Sequence, residues 1–198
     1  LNPSTQTPPD YYQAHCRTYF RKTATVNPAS FLQPLVDRLA PGARILDVGC
    51  GSGRDLKWLG QRGFQVTGME RASGLAHLAR AHAGCPVMVA DYHQFDFSTL
   101  TVDAILLIGA LAHVSHAALS ATLQRILQAL GNHGPALITL KHGTGTRSDG
   151  AGRRFYLWSD AALRPLFDRL QLTIDYHDVS RSLVSPADEW LSYIVRMN

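Results

Sequence analysis

From Ala43 to Leu140, short apolar runs alternate with segments of helical period, and no other feature of the chain restricts its fold as much. The runs read ARILDV, FQVTGM, PVMVAD, DAILLIG and PALITL. A strand with one wet face alternates apolar and polar residues, whereas these are nearly continuous, as in strands covered by helices on both faces. Between them the spacing predicts helices over Arg54 to Arg62 and near Ala72 to Ala83. A further helix opens at Ser115, turns Leu119, Leu123, Ile126, Leu127 and Leu130 inward, and stops at Gly131. Strand and helix in strict alternation give an open α/β sheet.

Two helices should precede the first strand. Asp10 with Gln13 has the form of a capping box, and Tyr12, Cys16, Tyr19 and Phe20 then share one face of a helix from Tyr11 to Lys22. Asn27-Pro28 starts a second, with Phe31, Leu32, Leu35, Val36 and Leu39 as its stripe and Pro41-Gly42 as its stop. After the fifth run comes a Gly/Arg/Ser loop, HGTGTRSDGAGRR, then a helix capped by Ser159 that Pro165 should kink or delay. The runs LTIDYHDV and EWLSYIVRM follow with no helix-length segment between them, so they should pair antiparallel.

The 198 residues suit a single domain, with 1–41 as cap helices and 42–198 as a Rossmann-like core. Apolar residues at 45% and charged residues at 17% are the balance of a globular protein. The longest apolar stretch, Ala104 to Ala112, is nine residues, about half of what a membrane-spanning helix needs. Cys16, Cys50 and Cys85 form no CxxC pair, which points to a reducing cytoplasm. A net charge of +4 leans toward anionic partners without the basic stripes of a dedicated nucleic-acid binder.

ILDVGCGSGRD, Ile45 to Asp55, enters a glycine-rich turn between a strand and a helix, an arrangement in which ligand atoms approach bare backbone. The spacing is GxGxG, with Arg54 where a dinucleotide fingerprint needs its third glycine. Asp47 would repel a pyrophosphate but attract an ammonium or sulfonium group. The ligand should carry positive charge near this loop.

The segment resembles the first motif of class I S-adenosylmethionine-dependent methyltransferases, and the resemblance runs from about Tyr11 to Met197. It implies seven strands ordered 3-2-1-4-5-7-6, the last antiparallel, and S-adenosyl-L-methionine as cofactor. It also implies that Asp47, Gly49, Cys50, Gly51 and Gly53 hold the methionine part, with Arg54 on its carboxylate. Glu70 would hold the ribose hydroxyls, Asp91 and Tyr92 would lie at the adenine, Ile108, Gly109 and Ala110 at the pocket floor, and Tyr19 and Arg71 would also bind the cofactor. The LAHV around His113 and the segment RRFYLWS are similar to small bacterial tellurite-resistance-like methyltransferases. The first half also looks like wobble-uridine tRNA methyltransferases.

Methyl transfer to a hydroxyl or protonated nitrogen is helped by a base, and His113, Lys141 and His142 are the catalytic candidates. His113 and His116 lack a third neighbouring ligand, so no metal site is expected. Lys141, His142, Arg147, Arg153 and Arg154 charge the loop after the fifth run, and its glycines 143, 145, 150 and 152 would make it a mobile lid over an anionic acceptor. Tyr12, Tyr19, Phe20, Phe155, Tyr156 and Trp158 are available to wall the acceptor pocket, or to serve as core. The leading expectation is a small-molecule O-, N- or S- (or chalcogen) methyltransferase. A tRNA or protein methyltransferase and a non-catalytic cofactor-binding subunit are the alternatives. The sequence leaves acceptor and oligomeric state open.

Overall fold

The computed structural model describes residues 11–131 and 134–197. The expected capping box falls partly outside them, at Asp10. The early helix is broken at His15 into α1 (Tyr11–Ala14) and α2 (Cys16–Thr23), and α3 (Ala29–Val36) follows. Asn27 Oδ1 accepts from the amide of Ala29 at 3.0 Å, which sets the start of α3 where Asn27-Pro28 predicted it. The helix ends before the expected stop, at Val36.

The next elements are β1 (Arg44–Val48), α4 (Arg54–Gly60), β2 (Gln65–Glu70), α5 (Ser73–Ala83), β3 (Val87–Val89) and β4 (Ala104–Ile108). Then come α6 (Leu119–Ile126) and β5 (Ala136–Lys141). The α6 helix starts later than Ser115, whose carbonyl instead accepts from the amides of Ala118 and Leu119 in a preceding turn. The glycine-rich segment expected as a loop contains an antiparallel pair, β6 (Thr146–Ser148) and β7 (Arg154–Tyr156). Last are α7 (Asp160–Arg169), β8 (Leu172–Arg181) and β9 (Glu189–Met197). Pro165 lies inside α7 without delaying it, because the Ser159 hydroxyl accepts from the amide of Ala162 and fixes the first turn.

Seven strands form one sheet in the order β3-β2-β1-β4-β5-β9-β8. Without the small hairpin this is the expected 3-2-1-4-5-7-6. Only β9 runs against its neighbours, β5 on one side and β8 on the other. Side chains on successive strand residues point to opposite faces, which divides the core in two. Ile45, Leu106, Leu137 and Ile194 pack with Leu32 and Leu35 of α3, Leu56 and Leu59 of α4, and Ala76 and Ala79 of α5. Leu46, Ile105, Leu107, Ile138 and Tyr193 pack with Leu123 and Ile126 of α6 and Leu163 and Phe167 of α7. Both faces are therefore covered, and the unbroken apolar runs are accounted for. Among the described residues no helix is long and apolar enough to cross a membrane.

Candidate active site

Because β1, β2, β3, β4 and β5 are parallel, their carboxyl ends share one edge of the sheet. At the end of β1 the amides of Gly49 and Cys50 both donate to the Met69 carbonyl, at 2.8 and 2.9 Å, which ties the loop to β2. Gly49 and Gly51 have φ of +75° and +55°, a region that side chains disfavour. A Cβ on Gly49 would meet Ala110 Cβ at 2.8 Å, and one on Gly51 the Tyr19 ring at 3.3 Å. The loop is bare because protein packs against it as well as because a ligand could approach.

A cavity of about 1100 Å³ opens at this edge. Tyr19, Gly49, Cys50, Gly51, Arg54, Glu70 and Arg71 line one side. Asp91, Tyr92, Ile108, Gly109, His113 and Lys141 continue the wall. Three of the residues expected to bind the cofactor or act in catalysis are not on it, and neither are Phe20, Tyr156 and Trp158. Asp47 lies beneath the loop at 1% exposure. Gly53 caps α4 and allows close approach to α5, since a Cβ there would lie 2.9 Å from the Ala79 carbonyl oxygen. His142 points elsewhere and pairs with Glu189 at 3.1 Å. His116, also outside the wall, bonds the Leu157 carbonyl at 2.9 Å and packs on Trp158.

Carboxylates dominate the glycine-loop end. Glu70 accepts from the amide of Gly51 at 3.1 Å and from that of Ala72 at 2.9 Å. An ionised carboxylate accepts several hydrogen bonds at once, which suits a pair of neighbouring hydroxyl donors. Asp91 holds the His93 amide at 2.9 Å and stands 3.8 Å from the Arg71 guanidinium. Burial pushes the Tyr92 phenol up to about 12, and its hydroxyl donates to the Ala110 carbonyl. Arg54 is held in a two-point contact by Asp55 at 2.7 and 2.8 Å and lies over the Phe31 ring. Among the described residues, Asp47 Oδ2 has no hydrogen-bond partner. Burial, with Asp55 and Glu70 adding against Arg54, raises its carboxyl well above the usual carboxylate range. An orphaned buried carboxylate oxygen under a bare loop fits a cationic ligand above it, and the Glu70 and Asp91 acceptors fit an adenosyl group.

The opposite end is walled by the β6–β7 hairpin and the turn between β8 and β9. Its cations are mostly paired. Arg153 meets Asp149 at 2.7 Å, while Lys141 and Arg147 both contact Asp188. The Lys141 ammonium sits 4.4 Å from the Phe155 ring and 5.3 Å from Trp190, and burial lowers its pKa. Asp149, Asp188 and Trp190 were missed in the sequence. The only signal for the last two is the register Lys141↔Trp190, which requires the β5–β9 pairing to be known. Arg153 also lies 4.2 Å over Tyr11 and 5.1 Å from Phe155, so the hairpin is fastened to α1.

His113 sits between these ends. Its Nδ1 is 2.6 Å from the Arg154 carbonyl oxygen and its Nε2 is 2.8 Å from the Tyr12 hydroxyl. Burial holds the imidazole below the usual histidine range. Tyr12, read from the sequence as wall or core, is a wall residue.

A family model described as a methyltransferase domain matches residues 45–134. A probable tRNA methyltransferase 9B from Bos taurus is 37% identical over 46% of this chain and 18% of its own length. A ubiquinone biosynthesis O-methyltransferase from Xanthomonas campestris is 31% identical over 55% of this chain and 51% of its own. The chain thus spans about half or less of the curated relatives it matches. Among solved structures, the 1,6-didemethyltoxoflavin-N1-methyltransferase of Burkholderia thailandensis, with 1,6-didemethyltoxoflavin and S-adenosylhomocysteine bound, superposes with a TM-score of 0.74. It is 20% identical, over 100% of this chain and 93% of that one.

Proposed function

We propose that this chain, a member of the class I S-adenosylmethionine-dependent methyltransferase family, methylates a small molecule at oxygen, nitrogen or sulfur. The observation that carries this reading is the cavity itself. One wall offers Glu70, Asp91 and the glycine loop over buried Asp47, and the other offers aromatic rings with His113 and Lys141. When bound, the cofactor supplies an electrophilic methyl group on a sulfonium. The chain's own work is then to align an acceptor and exclude water.

Glu70 and Asp91 would hold the adenosine, and Gly49, Cys50 and Gly51 would line the methionine part. Asp47 would act on the cationic end through the loop rather than by contact. Arg54, already paired with Asp55, would need to share that partner to reach a carboxylate. Tyr12, Phe155 and Trp190 would enclose the acceptor. His113 and Lys141 lie on the same wall as polar groups near it, and His142 has no part in the chemistry. Among the described residues, those from 11 to 41 would serve as a cap and those from 42 to 197 as the core of one catalytic domain. The cap reading is supported by Tyr11, Tyr12, Tyr19 and Phe31 on the cavity wall.

The similarity to a tRNA methyltransferase over the first half favours RNA as a second reading. Against it, Lys141, Arg147 and Arg153 in and after β5 are paired with carboxylates, so these three cations are not free for phosphates. The test is calorimetry with S-adenosylmethionine and S-adenosylhomocysteine, then a panel of phenols, anilines and thiols with product mass detection. We expect binding to both ligands, weakened in Glu70→Ala by about 1 to 3 kcal/mol, and methylated product from the panel. Binding of neither ligand overturns the cofactor assignment. Product only from tRNA, with affinity falling steeply in salt, overturns the small-molecule acceptor.

A further inference from the structure

We propose that the Tyr12 hydroxyl oxygen is the proton-accepting atom that faces the acceptor, with His113 as the proton sink behind it, and that the acceptor therefore reacts through an O–H or N–H group. This rests on reading the cavity as a methyl-transfer site.

The protons can be placed from geometry. A backbone carbonyl only accepts, so the 2.6 Å contact between His113 Nδ1 and the Arg154 oxygen puts a hydrogen on Nδ1. The ring is buried, which disfavours its charged form, and the groups facing it divide. Arg153 and Lys141 disfavour the charge, while the Arg154 carbonyl and Asp149 favour it. The net direction is a neutral ring, which leaves Nε2 a bare acceptor. The Tyr12 hydroxyl, 2.8 Å from that nitrogen, must then be the donor. The ring cannot readily turn, because Phe155 lies 4.7 Å from it and Tyr12 5.8 Å.

Two consequences distinguish Tyr12 from His113 as the base. The only basic nitrogen of His113 is covered by Tyr12, so an acceptor meets the phenol oxygen before it meets the imidazole. Burial holds the Tyr12 phenol above its ordinary range, so it is protonated at rest, while the hydrogen bond from Arg153 and its charge work in the opposite direction and ease proton release. Tyr12 thus stands between a cationic donor and a neutral base, the surroundings in which a phenol can accept one proton while releasing another.

The step balances as follows. The proton of the acceptor X–H moves to Tyr12 Oη while the Tyr12 hydrogen moves to His113 Nε2. An electron pair on X forms the bond to the methyl carbon, the X–H pair stays on X as the proton leaves, and the C–S pair remains on sulfur. The positive charge lost at the sulfonium reappears on the imidazolium, which the Arg154 carbonyl holds through Nδ1–H. A thiol, with a pKa of about 8.5, ionises substantially near neutral pH and needs no such relay. Phenols and protonated nitrogens do.

The test uses the full chain with ¹⁵N-labelled histidine, S-adenosylmethionine, and the panel of phenols, anilines and thiols. Without any ligand, we expect His113 protonated at Nδ1 only and titrating below an ordinary histidine. Tyr12→Phe should move the Nε2 signal, keep S-adenosylmethionine affinity within about threefold, and lower kcat for phenols and anilines by about 10²-fold or more. Thiol turnover should be spared. In His113→Gln the acidic limb of the kcat profile for phenols should vanish. A wild-type ring protonated at Nε2 overturns the relay, as does a Tyr12→Phe enzyme that keeps its phenol turnover or loses thiols equally. Binding of S-adenosylmethionine with no product from any panel member overturns the small-molecule reading and the relay with it, whereas the other outcomes overturn the relay alone.

Discussion

Lys141 and Asp188 form an ion pair across the junction of β5 and β9, with the lysine side chain 8% and the aspartate side chain 11% exposed. Arg147 shares the same carboxylate. Removing one member of such a pair leaves a charge out of water and uncompensated. Asp188→Asn should therefore destabilise the fold by about 3 to 5 kcal/mol, whereas Lys141→Met with Asp188→Leu should recover much of that loss. Urea unfolding of the two variants checks both. Equal losses in the single and double variants would show that the pair is not coupled.

Asp47 makes stability and ligand affinity depend on pH in opposite senses. Its folded pKa is raised by burial, so the folded state binds more protons than the unfolded one. Stability should fall as pH rises from the ordinary carboxylate range toward the raised value. A cationic ligand favours the ionised form, so affinity should rise over the same interval, with proton release on binding. Calorimetry of S-adenosylmethionine binding in buffers of different ionisation enthalpy measures that release. In Asp47→Asn both slopes should disappear.

Gly53 caps α4 and lets it pack closely on α5. With φ at +74°, an alanine there costs about 1 to 2 kcal/mol of backbone energy. Its Cβ would also press on the Ala79 carbonyl. Gly53→Ala should lower the melting temperature by about 4 to 8 °C, the shift for about 2 kcal/mol in a chain of this size. S-adenosylmethionine affinity, measured on the folded fraction, should be retained.

Arg153 fastens the β6–β7 hairpin to α1 through the Tyr11 ring. Each such contact contributes about 0.5 to 1 kcal/mol at a partly exposed site. In Arg153→Ala, amide exchange in Tyr11–Ala14 should accelerate while the sheet amides stay protected, as hydrogen-exchange mass spectrometry would resolve. Unchanged exchange in α1 would mean that other contacts hold it.

The parallel core was legible because its signal is local. Unbroken runs such as Ala104–Ile108 require helices on both faces, and Glu70 and Asp91 stand at strand ends that the same runs locate. What stayed hidden depends on contacts distant in sequence. The charges of the segment after β5 looked unopposed, yet Lys141 and Arg147 find Asp188 only once β9 is seated beside β5. Asp149 opposes Arg153 because a turn brings them together, within a segment read from the sequence as a mobile basic lid. Asp47 was read as a contact residue; its burial beneath the glycines depends on how tightly β1 packs between β2 and β4. Tyr12 was ambiguous because helical period gives a face without naming what lies against it.

The seat of β9 has a consequence for synthesis. β5 gains its second neighbour only from β9, and β8, which leaves the ribosome earlier, pairs in the sheet solely through that later strand. While the intervening segment is made, the edge of β5 stands open and β8 has nowhere to dock. Pairing between segments so far apart in sequence is slow and exposes strand edges meanwhile. The interval between emergence of Lys141 and of Glu189 is thus when the nascent chain is most in need of a chaperone, and when codon-dependent pausing would do most harm.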